Sequence, residues 1–115
     1  MRKLKLVAAA ILATISGTAV AQDRKASPYI ACGADVAQQQ ATSNKSIGAI
    51  QKIALSKCAP LLEQNVSNSL AAMEREKGPV PAQMREHVKQ TLRNRLKSGL
   101  PYLIQMNVTA LRQAR

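Results

Sequence analysis

The chain has 115 residues, seventeen Lys and Arg against six Asp and Glu, a formal charge of +11, and no aromatic residue except two tyrosines. That length allows one domain whose thin core must come from Ile, Leu, Val, Met and Ala. A single histidine, no glycine-rich phosphate loop and few carboxylates leave no footing for zinc-hydrolase, phosphoryl-transfer or paired-carboxylate chemistry.

The first residues are basic (Arg2, Lys3, Lys5), an apolar run follows from Leu6 to Ile15, and Ser16, Gly17 and Thr18 break it. Ala19-Val20-Ala21 then supplies the small-x-small pattern that a signal peptidase accommodates. The run is shorter than the ~20 residues of a spanning helix, so residues 1–21 read as a cleavable signal peptide and residues 22–115 as a single domain. No cysteine follows the cut to accept a lipid, and no transmembrane segment is expected after cleavage. The remaining 94 residues carry fourteen Lys and Arg and six Asp and Glu, a formal +8. The expected location is periplasmic or secreted.

Two cysteines, Cys32 and Cys58, in a chain addressed to an oxidising compartment predict a disulfide. Their spacing is not C-x-x-C, no histidine is near either, and a metal site would want two more ligands. In the chain-entropy model, closing a loop of this length contributes about 3.5 kcal/mol.

Asp23 to Ala26 read as a mobile leader. Ser27-Pro28 is a helix start, a hydroxyl cap before a ring-locked first residue, and Tyr29, Cys32 and Val36 then share a face, which predicts a helix over 28–41. The polar cluster Thr42–Ser46 ends it and offers caps for the next helix. From Ile47 the apolar positions Ile50, Ala54, Cys58, Leu62, Val66, Leu70 and Met73 form one stripe in steps of three or four. Pro60 interrupts the backbone ladder inside that stripe, and the preferred reading is one long helix over 46–77, kinked there rather than divided. Gly78-Pro79-Val80-Pro81 is a stop. A further helix carries the seam Met84, Val88, Leu92 and Leu96 and ends at Gly99, and Pro101 opens a last helix with Leu103, Ile104, Val108 and Leu111. No segment alternates with period two. The expected fold is all-α: a small disulfide-closed helical bundle of about four helices.

Counted from a turn near Asn44, Cys32 lies twelve residues back and Cys58 fourteen on, roughly 18 and 21 Å along antiparallel helices. Both cysteines would therefore sit at one level, where a disulfide can staple the open end of the first hairpin.

Arg85, Lys89 and Arg93 follow each other at i, i+4, Arg95 and Lys97 extend the patch, and on that helix only Glu86 opposes them. Like charges at this spacing destabilise an isolated helix by a few tenths of a kcal/mol per pair, so an anionic ligand is one compensation and a solvated, solubilising face is the other reading. Export argues against nucleic acid, and no aromatics interleave with the charges to stack bases. An acidic protein partner or an anionic envelope surface fits better, the protein being favoured because the helix lacks the Trp or Phe of strong interfacial binders. His87 beside Glu86 points about 100° away from it and reads as a solvated side chain.

Tyr29-Ile30-Ala31-Cys32, followed by Cys58 within Ile53-Ala54-Leu55-Ser56-Lys57-Cys58, resembles an uncharacterised group of small exported proteobacterial helical proteins. The resemblance covers the first hairpin and implies export, helices and a Cys32–Cys58 bond, with no activity and no site. In size, compartment and disulfide-closed helices the chain is also similar to periplasmic acid-stress chaperones and to small immunity proteins, without a sequence motif of either.

The expectation is a non-enzymatic periplasmic binding protein, immunity or inhibitor-like, that needs no cofactor or metal and docks an acidic partner through Arg85, Lys89, Arg93, Arg95 and Lys97. The alternative is a stress chaperone exposing Met84, Val88, Leu92 and Leu96, although one histidine and few carboxylates give acidification little to titrate. An enzyme would have to gather Tyr29, Tyr102, His87 and a carboxylate from separate helices. The narrow seams also leave a homodimer open as a way to complete burial.

Overall fold

The computed structural model describes residues 24–114; the leader expected over 1–21 lies outside them. Four α-helices account for most of the chain: α1 (Pro28–Gln40), α2 (Ile47–Cys58), α3 (Leu62–Lys77) and α4 (Ala82–Gln113), with one 3₁₀ turn, Ala59–Leu61, between α2 and α3. No strand occurs among the described residues. Cys32 and Cys58 are bonded, with Cα atoms 5.7 Å apart.

Pro28 occupies the first turn of α1, and Tyr29, Gly33, Val36 and Ala37 form its buried stripe. The helix does not start as expected, because the Ser27 side chain makes no capping bond. The acceptor comes instead from α3: Asn65 Oδ1 takes the Tyr29 backbone N–H at 2.9 Å, and Asn65 is itself 1% exposed. One of the orphan donors of a helix start is thus satisfied from another element. Residues 24–26 are already helical and anchored rather than loose. The Arg24 guanidinium grips both Asp35 carboxylate oxygens at 2.8 and 3.1 Å, and Asn68 donates to the Lys25 carbonyl at 3.2 Å.

In the turn 41–46, Ser43 bonds back to the Gln40 carbonyl through its hydroxyl and its amide. Ser46, extended, caps α2 by accepting the Ala49 N–H at 3.1 Å. The apolar stripe then runs on as the spacing predicts: Ile50, Ala54, Cys58, Val66 and Leu70 are all buried. At Pro60, however, the long helix is divided rather than merely kinked. Proline has no N–H to return to the carbonyl four residues back, and the backbone passes through a single 3₁₀ turn before resuming as α3.

The larger departure lies at the other proline. Gly99 and Pro101 do not separate two helices, and α4 runs unbroken through both for 32 residues, about 48 Å. An internal proline costs about 3 kcal/mol, but Leu100 and Ile104 on either side of it are fully buried, each contributing about 1.5–3 kcal/mol. Gln51 of α2 donates to the Pro101 carbonyl at 2.8 Å and ties this level of α4 to the hairpin.

Residues 47–77 and α4 therefore form one long antiparallel hairpin, and α1 lies along its far half. Tyr29, Val36, Ile50, Ala54, Cys58, Leu100, Ile104 and Val108 make the core of that three-helix trunk. Gly33 lets α1 come close, since a Cβ there would overlap the Leu100 side chain. The other half, α3 against the first turns of α4, is a two-helix arm whose buried apolar residues on α3 are Val66 and Leu70.

Candidate docking face on the arm

The cations expected to act together are on α4, and three of them, Arg85, Lys89 and Arg93, are partly covered on its arm-forming side. Arg85, Lys89, Arg93 and Lys97 recur every four residues along a stripe, whereas Arg95, two residues beyond Arg93, is about 200° round the helix. The five are therefore not one face.

Opposition comes from more than Glu86. Arg93 forks onto the Glu63 carboxylate, Nε at 2.6 Å and one terminal nitrogen at 2.7 Å, and its side chain is only 23% exposed. Arg85 reaches Glu74 at 2.9 Å. Lys89 stands between them, 3.9 Å from Glu86 and close enough to act on Glu63. The like-charge spacing on α4 is thus compensated inside the molecule, by carboxylates about three turns apart on α3. Glu74 serves twice, since its Oε2 also accepts the Val80 N–H at 2.9 Å and so fixes the turn between the helices.

These contacts set the acidities. Glu63 is held below the ordinary glutamate range, first by the hydrogen bonds from Arg93 and then by its charge, with Lys89 adding to it. Glu74 is held low chiefly by the Val80 amide, then by Arg85. Asp35 is likewise lowered by the hydrogen bonds from Arg24.

Arg95 and Lys97 remain exposed, with no carboxylate bonded to either among the described ion pairs. Between residues 24 and 114 there are thirteen Lys and Arg and five Asp and Glu, and four of those carboxylates, Asp35, Glu63, Glu74 and Glu86, are in ion pairs. The surplus positive charge is carried by side chains such as Lys52, Lys57, Arg75, Lys77, Arg95 and Lys97.

Of the apolar seam Met84, Val88, Leu92 and Leu96, only Met84 is open, at 50% exposure, and the other three are partly covered. Tyr29, Tyr102 and His87 are not gathered: Tyr29 is buried in the trunk, Tyr102 is 65% exposed, and His87 is exposed on the same helix, fifteen residues or about 22 Å away. Among the described residues no group of three or more His, Cys, Asp or Glu could hold a metal ion, and no helix is long and apolar enough to cross a membrane.

One basic residue outside the expected set has a defined task. Arg112 donates to the Ala41, Ser43 and Lys45 carbonyls at 3.0, 3.0 and 2.7 Å, closing the C-terminal end of α1. A cation at a helix C-terminus also complements the dipole. Sequence spacing carries no signal for it or for Asn65, because their partners are 67 to 71 and 36 residues away. Comparison with protein-family models, with curated proteins and with solved structures finds no match to this chain.

Proposed function

We infer that this is a non-enzymatic interaction protein of the periplasm that docks an acidic protein partner, its sharpest version being an inhibitor or immunity-like protein. The disulfide and the lack of a membrane-crossing helix among the described residues support an oxidising, extracytoplasmic setting. The observation that carries the reading is the division of labour among the arm's cations. Arg85 and Arg93 are held by Glu74 and Glu63 and shape the arm, while Arg95 and Lys97, about 200° apart round the helix, stand exposed and supply field to a partner rather than one shared contact face. Exposed charges of this kind steer and orient more than they hold, and are screened within about 8 Å at physiological ionic strength.

The test is affinity capture from periplasm at low and high salt, comparing the wild-type chain with Arg95→Glu/Lys97→Glu. Reversal at position 93 is avoided because it would break the Glu63 pair and confuse docking with folding. A stoichiometric acidic partner that is lost both in high salt and in the double variant supports the reading. A capture that is empty at low salt, or a partner that the double variant retains undiminished, overturns it.

A further inference from the structure

The exposed apolar surface of the described residues is concentrated toward the C-terminal end of α4. Of the four large apolar side chains that are exposed, Tyr102, Met106 and Leu111 lie on the last four turns of α4. The run Ser98–Leu111 is fourteen residues without a charge, in a chain of which 20% is charged, and no charge-free run between 24 and 114 is longer. Tyr102 and Met106 share the outer side of this run, with Leu111 about 140° round from Met106, and an uncharged side offers an acidic partner nothing. A second copy of this chain is different, since two strongly positive molecules repel least where neither carries charge.

The pattern on that face is also its own complement. Gly99, Tyr102, Met106, Ala110 and Gln113 are all exposed and fall within about 80° of one another round the helix. Their spacing of three, four, four and three residues reads the same in both directions about Met106. In an antiparallel pair of such helices, Tyr102 of one copy meets Ala110 of the other, Gln113 meets Gly99, and Met106 meets its twin. Large faces small at the outer levels, and on the axis two flexible methionine side chains meet. A Cβ at Gly99 would have nothing within 4 Å, and a shallow groove of about 380 Å³ lies beside Met106 and Ala110, where the other copy's Tyr102 ring would rest. A two-fold contact needs this self-complementarity, residue i on j and j on i.

We propose that the protein self-associates through the outer face of the C-terminal half of α4, as an antiparallel pair of helices with its two-fold axis at Met106. Four turns of helix bury well under the ~1,600 Å² of a standard interface, so the dimer is weak and forms with rising concentration. Arg95 lies on the same face one turn before Gly99, just beyond the paired residues, and the variants at 102 and 106 leave it and Lys97 in place, so that failure of the dimer and failure of the docking reading are distinguishable.

Sedimentation equilibrium of the disulfide-closed protein from micromolar to millimolar concentration shows the dimer growing in. Tyr102→Lys and Met106→Lys weaken it by tenfold or more, with unchanged helical circular dichroism because both side chains are exposed. Met106→Cys gives a covalent dimer under mild oxidation, with Cys32–Cys58 intact by peptide mapping. Tyr102→Cys does not, because the two positions are eight residues or about 12 Å apart along the pair, beyond the ~7 Å limit between bonded cysteines. A protein that stays monomeric at millimolar concentration, cross-linking of equal yield at 102 and 106, or capture of the monomer by neutral lipid vesicles through Tyr102 and Met106 overturns the proposal.

Discussion

At Gly33 a methyl group would overlap the Leu100 side chain, while at Gly99 it would project into open space. The same substitution is therefore expected to act with opposite sign. Gly33→Ala forces α1 away from α4 and destabilises by about 1–3 kcal/mol, and Gly99→Ala removes helix-interior glycine and stabilises by about 0.5–1 kcal/mol. Urea unfolding of the two variants beside the wild type measures both, and equal signs would contradict the placement of α1. Asn65 is the other residue on which the trunk turns. Asn65→Ala leaves the first turn of α1 without its acceptor at Tyr29 and is expected to lose about 1–2 kcal/mol, seen as a lower urea midpoint with native-like helix content below the transition. Ser27, with a helix-start residue on its C-terminal side, is where local pattern points for that cap. Local pattern measures what a residue does for its neighbours in sequence, and a cap delivered from 36 residues away is invisible to it, whereas Ser46 and Ala49 are close neighbours and their cap was legible.

Between α3 and α4 the joining contacts are carboxylate to guanidinium, and they give the arm a pH signature. Glu63, Glu74 and Asp35 are all held below the ordinary carboxylate range by the groups that bond them. A group whose folded acidity is strengthened adds stability above its unfolded pKa and loses it as pH falls through the folded value. The melting temperature is thus expected to be flat from neutral pH to about pH 5 and to fall below about pH 4.3, where free glutamate protonates. Glu63→Gln/Glu74→Gln starts lower and falls less steeply, as thermal melts across pH 2.5–7 would record; a parallel fall in both proteins would remove these pairs as its source. The stripe Ile50 to Leu70 and the stop at Gly78–Pro81 were fully readable, being periodic. The two prolines were misjudged in opposite directions. Pro60 falls between two helices that pack on α4 at successive levels, where nothing demands an unbroken ladder, whereas Pro101 is flanked by fully buried Leu100 and Ile104, whose burial outweighs the break. That balance is tertiary. The stitching role of Arg85 and Arg93 was hidden for the same reason, since an i, i+4 row of cations looks alike whether it faces solvent or a neighbouring helix.

Across the whole molecule the disulfide joins the two short elements, and α4 joins everything else. The bond spans 26 residues, so its reduction should lower the unfolding free energy by about 3.5 kcal/mol, read as the difference between urea midpoints with and without reductant; coincident midpoints would mean that loop closure contributes nothing. The pairing and the first hairpin could be anticipated because both depend on distances counted along two adjacent helices. The long hairpin could not, because it exists only once α4 is continuous. That continuity also ties the two halves of the molecule to one element. Leu100, Ile104 and Val108 form the strip of α4 on which α1 and α2 assemble, while α3 packs on the earlier turns of the same helix. Closed covalently within one hairpin yet seated by a helix whose core strip begins 42 residues beyond Cys58, the trunk is one cooperative unit rather than a hairpin with a helix added to it.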